Sequence, residues 1–241
     1  MTILTPDIDV STIDFEAGAV ILVDKPLEWT SFDVVNKIRF RLRQKYGKKK
    51  FKVGHNGTLD PLATGLLMIF CGKYTKLIPK EENHDKRYVG TIKLGATTES
   101  LDREFPEKDL ATKELSHTRQ EVETAIAKFH GEMTQEIPIY SAAKINGKAM
   151  YKMARKNQEF KPKTKIVFYH EVTMLDYNSP FVKVNILCGK GTYIRGFARD
   201  LGAALDTPAY LYDLRRTEIA KYHVDQAWNI DAICEAINSE S

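Results

Sequence analysis

Residues 54–65 read Gly54-His55-Asn56-Gly57-Thr58-Leu59-Asp60-Pro61-Leu62-Ala63-Thr64-Gly65, a single carboxylate set in a segment dense with turn residues. Gly54, Gly57 and Pro61 oppose regular structure, since glycine permits positive φ and proline removes a backbone donor. Asn56 and Thr58 can satisfy nearby backbone groups with their side chains. Leu66 to Phe70 follows as a short apolar run that reads as a strand. The expectation is a loop anchored by a rigid element, with Asp60 presented on it. Loops held by a scaffold are where chemistry concentrates. On residue types alone two readings stand: a functional carboxylate, or a turn carboxylate that caps a backbone amide.

Outward from this stretch the elements are mixed. Ala19 to Val23 reads as a buried strand that delivers Asp24-Lys25-Pro26. Thr30 or Ser31 can cap a helix reaching about Tyr46, with Val35, Ile38 and Leu42 as its apolar stripe and Gly47 as its C-cap. Lys48 to Lys50 reads as a basic linker. Arg87 to Leu94 has strand character, and 103–116 reads as a polar surface excursion. Glu121 to Phe129 is an amphipathic helix, and Gly147 to Asn157 is read as helical. Ile166 to Tyr177 and Phe181 to Cys188 read as paired strands around Asn178-Ser179-Pro180. Tyr193 to Leu205 reads as a helix, as does the stretch around Ile230 to Ile237. Strands and helices do not alternate as βαβ units, so the pattern predicts an α+β fold. With no repeat and no Gly/Ser/Pro-rich linker, one continuous domain is expected.

Composition narrows the function. The 43% hydrophobic content fits a globular chain, and no apolar run approaches the length of a membrane span. The acidic first fifteen residues lack the basic start and apolar middle of a signal peptide, and read as a tail or an edge strand. Cys71, Cys188 and Cys234 are odd in number and lack metal-ligand spacing, which points to a reduced, cytoplasmic compartment. The histidines are scattered, so no zinc site is expected. Net charge is only +4, but Lys37 to Lys52 holds nine basic residues and no acidic one. Lys152 to Lys165 adds six more against Glu159 alone. A solvated face is the plainer reading of either run by itself; two runs flanking an unusual loop suit a polyanion such as RNA.

Residues 54–65 and five further blocks, in family order, together resemble the bacterial tRNA pseudouridine synthase B (TruB) family. Residues 54–65 match its Gly-His-Thr-Gly-x-Leu-Asp-Pro-x-Ala-Thr-Gly core, except that Asn56 stands where Thr is usual. Val23-Asp24-Lys25-Pro26 with Trp29-Thr30-Ser31 resembles its amino-terminal block, and Lys86-Arg87-Tyr88 its Lys-x-Tyr motif. The segment Gly95 to Asp102 is also family-like. Tyr140-Ser141-Ala142 with Lys144, Gly147 and Tyr151 resembles the next block. Gly191-Thr192-Tyr193-Ile194-Arg195 and Leu214-Arg215-Arg216-Thr217 resemble the last two. Ile139 replaces a common Pro and Ala220 a common Gly.

The resemblance implies the pseudouridine synthase fold, a mixed central β-sheet flanked by helices and loops around an RNA-binding cleft. It implies conversion of uridine 55 in the T-loop of tRNA to pseudouridine, with no cofactor and no metal. Asp60 is then the nucleophile, an ionised carboxylate suited to the task; attack at C1′, attack at C6 and a glycal route all stay open. Tyr88 is the platform for the flipped base and a base toward the sugar. Arg195 is the ion-pair partner that keeps Asp60 charged. His55 contacts displaced loop bases, Tyr193 the uracil edge, Leu214 the pocket wall and Lys76 a phosphate. Lys25 and Pro26 support the site from below. Read without the resemblance, Tyr88 is a strand tyrosine, Arg195 a helix-surface residue and Lys76 a solvated lysine. The expected organisation is an amino-terminal tail over 1–18, a catalytic domain over 19–222 and a short helical tail over 223–241, too short for the family's carboxy-terminal RNA-binding domain. A monomer acting on the T-arm of tRNA, away from membranes, is expected. A further role in tRNA folding is compatible with the same cleft.

Overall fold

The computed structural model describes residues 1–108, 110–111, 115–156 and 158–238. Its contacts divide the chain into two compact units, one of residues 1–86 with those from Arg215 onward, the other Arg87–Leu214. The passages fall at Lys86/Arg87 and Leu214/Arg215, so no flexible linker marks either one in the sequence.

The first unit opens with β1 (Ile3–Leu4), which pairs parallel to β2 (Ala19–Lys25) through Ile3↔Val20 and Leu4↔Ile21. The edge-strand reading of the amino terminus therefore describes these residues, and Leu4, Val10 and Phe15 are buried. The run Ala19 to Val23 is buried on both faces, as expected of a central strand. Next comes α1 (Ser31–Lys45). Thr30 caps it with a full capping box: its hydroxyl accepts from the Asp33 amide, while the Asp33 carboxylate accepts from the Thr30 amide. Gly47 follows the helix at φ +61°, the left-handed position glycine fills without strain.

A correction comes at β3 (Val53–Asn56), which pairs antiparallel with β4 (Ala63–Cys71) from Val53↔Cys71 to Asn56↔Met68. Gly54 and His55, read as loop, are strand residues. Pairing to an already buried β4 and the burial of Val53 and Asn56 override glycine's preference. Only residues 57–62 form the loop. A short helix, α2 (Ile78–Glu81), ends this part of the unit.

The second unit holds β5 (Lys86–Leu94, its first residue in the first unit), α3 (Arg119–Ile126), β6 (Gly131–Glu136), the small hairpin β7 (Lys144–Ile145) and β8 (Lys148–Ala149), then α4 (Met150–Ala154). It continues with β9 (Thr164–Asn178), β10 (Phe181–Cys188), α5 (Ile194–Ala204) and the start of β11 (Ala209–Ile219). Its strands lie in the order β5-β10-β9-β6, with β10 and β6 both antiparallel to β9. The expected helix from Gly147 to Asn157 is corrected. Asn146 at φ +49° and Gly147 at φ +80° form the tight turn of β7–β8, and helix begins only at Met150. An Asn-Gly pair is a hairpin signal, and it outweighs the helical pattern that follows. Asn157 lies outside the described residues, as do 109 and 112–114 of the surface excursion and 239–241 of the tail.

The chain then returns to the first unit with β12 (Tyr222–His223), β13 (Trp228–Asn229) and α6 (Ile230–Asn238). The end of β11 pairs with β12, and β13 runs parallel beside β2. The period of two along β2 and β4 sorts the core of this unit into two layers. Ile21, Val23, Leu67 and Ile69 face α1 and α6, meeting Val35, Ile38, Leu42, Ile233 and Ile237. Val20, Leu22, Leu66, Met68 and Phe70 form the other layer, with Ile219 and Val224. Each such side chain contributes roughly 1.5–3 kcal/mol on burial.

Candidate active site

The turn 57–62 is built so that its backbone carbonyls meet buried cations. Lys25, at the end of β2, is fully buried. Its ammonium donates to Pro26 O at 2.8 Å, Trp29 O at 2.5 Å and Pro61 O at 3.3 Å. Arg216, on β11, is fully buried too, and donates to Leu66 O at 2.7 Å and Gly57 O at 3.0 Å. The loop is thus gripped at Gly57 and Pro61, on either side of Asp60. The Ser31 hydroxyl holds Leu59, accepting from its amide at 2.8 Å and donating to its carbonyl at 3.1 Å. The Asp60 carbonyl accepts from Ala63 N at 3.0 Å, and Pro61 O accepts from Glu28 N at 2.9 Å.

Two glycines make this closeness attainable. Gly57 sits at φ +69°, and a Cβ there would stand 3.2 Å from Lys86 Cε. Gly65 sits at φ +106°, and a Cβ there would stand 2.2 Å from the Arg216 carbonyl oxygen. Lys86 is nearly buried and donates to His84 O at 2.7 Å. Arg215 points the other way, forking onto Asp24 at 3.0 and 2.7 Å.

The electrostatics follow from burial. Desolvation pulls the Lys25 ammonium from its usual 10.5 down to about 8, opposed first by the charge of Asp60. Lys25 and Asp60 are therefore electrostatically coupled. His55, on β3, is held below its ordinary range by burial and then by Arg216, so its imidazole is neutral at pH 7. Its buried Nδ1 has no hydrogen-bond partner among the described residues. Asn56 is fully buried, and its amide donates to Glu81 O, anchoring β3 to the end of α2. Thr could not reach that carbonyl in the same way, so the substitution at 56 changes the support of the loop rather than Asp60 itself. Lys76 is exposed in the turn after β4.

The remaining candidates lie in the second unit. Tyr88, on β5, is 7% exposed and shares a strand face with Gly90, Ile92 and Leu94. Leu214 packs over Gly90 on that face, 3.6 Å from where a Cβ would be. Leu214 and Tyr88 are thus brought to one side of β5. Arg195, read as a surface residue without the resemblance, is 6% exposed in the first turn of α5. It donates to Ser100 O at 3.0 Å and lies 3.5 Å from the buried Asp102 carboxylate. Leu101, between them, holds φ +63°, a costly conformation for a bulky side chain. Asp102 also accepts from the Ser100 hydroxyl and from Glu104 N at 2.9 Å, which fixes it behind the guanidinium.

Tyr193 immediately precedes α5. Gln135, buried on β6, donates to Tyr193 O at 3.0 Å and accepts from Tyr193 N at 2.9 Å. Sequence reading assigned no role to Gln135, Lys86, Asp102 or Arg216. No local signal marks their burial: Gln135 sits in the polar strand β6, Lys86 opens β5, Asp102 lies outside the strands and Arg216 follows Arg215 on β11.

Comparison with known proteins completes the assignment. The model of the TruB family pseudouridylate synthase, N-terminal domain, matches residues 43–194. The tRNA pseudouridine synthase B of Phocaeicola vulgatus is 44% identical over 230 residues, covering 95% of this chain and 97% of that protein. That of Chlorobium luteolum is 45% identical over 217 residues, covering 90% and 74%. Among solved structures, a chain of a Cbf5-Nop10-Gar1 complex superimposes with a TM-score of 0.69 at 23% identity. The alignment covers 98% of this chain but only 60% of that one, and the likeness shows a shared fold. The family model and the identity over nearly the whole length of both chains agree: this chain belongs to the TruB family of pseudouridylate synthases.

Proposed function

We propose that the chain converts uridine 55 in the T-loop of tRNA to pseudouridine, with Asp60 as the nucleophile. The reaction is an isomerisation. The N1–C1′ bond breaks, the uracil turns, a C5–C1′ bond forms, the proton at C5 leaves to solvent, and N1 takes up a proton in its place. Nothing is oxidised or reduced. Tyr88 and Arg195 are the further catalytic groups in this reading, the first under the flipped base and the second keeping Asp60 ionised. His55, Tyr193, Leu214 and Lys76 contact the RNA, and Lys25 and Pro26 carry the loop. The protein acts as a cytoplasmic monomer.

The observation that carries the reading is the grip on the Asp60 loop, with Lys25, Arg216 and Ser31 binding its carbonyls at Pro61, Gly57 and Leu59. A preorganised carboxylate needs no reorganisation when the reaction starts. The relatives named for tRNA pseudouridine synthesis at over 40% identity support the same substrate. The buried setting of Arg195, backed by Asp102, supports a role beyond a surface charge.

The test is site mapping. An unmodified tRNA transcript is incubated with the protein, derivatised with carbodiimide, and read by reverse transcription. A new stop at uridine 55 is expected. A stop elsewhere, or none with tRNA still bound, overturns the reading.

A further inference from the structure

The hairpin β3–β4 has two ends. One carries Asp60. The other, where Val53 pairs with Cys71, opens onto a basic cavity of about 770 Å³. Its basic wall comes from three segments: α1 with Arg43, the stretch entering β3 with Lys49, Lys50 and Lys52, and the turn after β4 with Lys73 and Lys76. All six are exposed. Glu16 is the only acid in the lining, and it is already paired with Lys48. Lys49, Lys50, Lys52, Lys73 and Lys76 form no ion pair among the described residues. The frame beneath them is fixed. The Gly72 amide donates to Lys52 O at 2.9 Å, and a Cβ at Gly72 would stand 2.1 Å from Phe15 O. Arg39, at the rim, is pinned by donating to Val53 O at 2.9 Å.

We infer that this cavity is a second phosphate-binding station, which takes the RNA backbone about 17 Å from the Asp60 loop. The distance is that of the five residues from Lys52 to Gly57 at roughly 3.3 Å each. Unpaired lysines clustered on a rigid concave wall are costly to hold together without an anion. A polyanion relieves that repulsion and releases its own counterions on binding. A single phosphate-sized ligand would leave most of the six cations unmatched, whereas successive phosphodiesters match them in series. The inference rests on RNA being the substrate. It adds a contact made away from the reacting base, so it governs affinity and its salt dependence and leaves the chemical step alone.

The test is the triple variant Lys49→Ala/Lys50→Ala/Lys52→Ala, compared with wild type and with a Lys128→Ala control in the second unit. Binding of full-length tRNA transcript is measured from 50 to 300 mM salt, and single-turnover pseudouridine formation at saturating enzyme. At about 0.7–0.9 per phosphate contact, the slope of log K against log salt should become shallower by about two. Affinity at 0.1 M salt should fall on the order of tenfold or more, with an unchanged saturating rate and unchanged Tm. An unchanged slope overturns the inference. So does a lost rate with an unchanged slope, which would make these lysines supports of the Asp60 hairpin. If wild type binds tRNA but forms no pseudouridine, the functional reading fails while the salt slope still decides this one.

Discussion

Raising the pH through 8 should make this protein more stable and less active at once, and both effects trace to Lys25. Burial holds its ammonium at about 8 in the folded chain against 10.5 in the open one; Asp60 is the largest opposing influence, Arg216 adds to the lowering, and Asp33 and Asp24 oppose it more weakly. Between these values the unfolded chain keeps a proton the folded chain has released. Stability therefore rises with pH across that window. A shift of this size corresponds to at most about 3 kcal/mol. Activity moves the other way. Deprotonation removes a positive charge coupled to Asp60 and leaves two donors for three carbonyls. Losing one charge-assisted hydrogen bond is worth about 1.5 kcal/mol, or roughly a tenfold slower chemical step. The assay pairs urea unfolding with single-turnover rates from pH 7 to 9.5, in wild type and in Lys25→Met. Wild type should gain stability relative to the variant as pH rises, while its rate falls with a midpoint near 8. A flat wild-type rate, with parallel stability curves for the two proteins, would refute the coupling.

Three further outcomes are expected. Gly65→Ala forces a methyl group against the Arg216 carbonyl at a left-handed φ, and should lower stability by roughly 2 kcal/mol or more in thermal unfolding. Ala220→Gly should raise stability by about 0.5–1 kcal/mol in the same assay, because Ala220 holds φ +51° in the β11–β12 turn and glycine relieves that strain. Asp102→Asn removes one buried counter-charge from Arg195; the saturating rate should fall at least tenfold with little change in tRNA affinity, whereas equal loss of both would show general unfolding.

The parts legible in the sequence were those with a one-dimensional signature. The apolar run Ala19 to Val23, the Thr30 cap and the Pro180 turn between β9 and β10 each announce their element within a few residues. The turn that carries Asp60 was legible through the order of its residues. What escaped depends on partners far along the chain. The strand β3 exists because β4 lies beside it, whatever glycine prefers. The edge strand β6, Gly-Glu-Met-Thr-Gln-Glu, has almost no apolar face to detect; its one buried member, Gln135, is there to hold the backbone of Tyr193. The buried cations are the deepest case. Lys25 reads as a support and Arg216 is given no role, and the burial of both becomes visible only when the carbonyls of Pro61 and Gly57 are brought to them, 36 and 159 positions away.

The central claim is that Asp60 does the chemistry on a tRNA uridine. It is tested most directly by tritium release from a tRNA transcript labelled at C5 of uridine, since the C5 hydrogen leaves only when the C5–C1′ bond forms. Wild type should release one tritium per transcript, and none from a transcript with uridine 55 replaced. Asp60→Ala should release none while still binding tRNA. Release by Asp60→Ala at the wild-type rate would contradict the account.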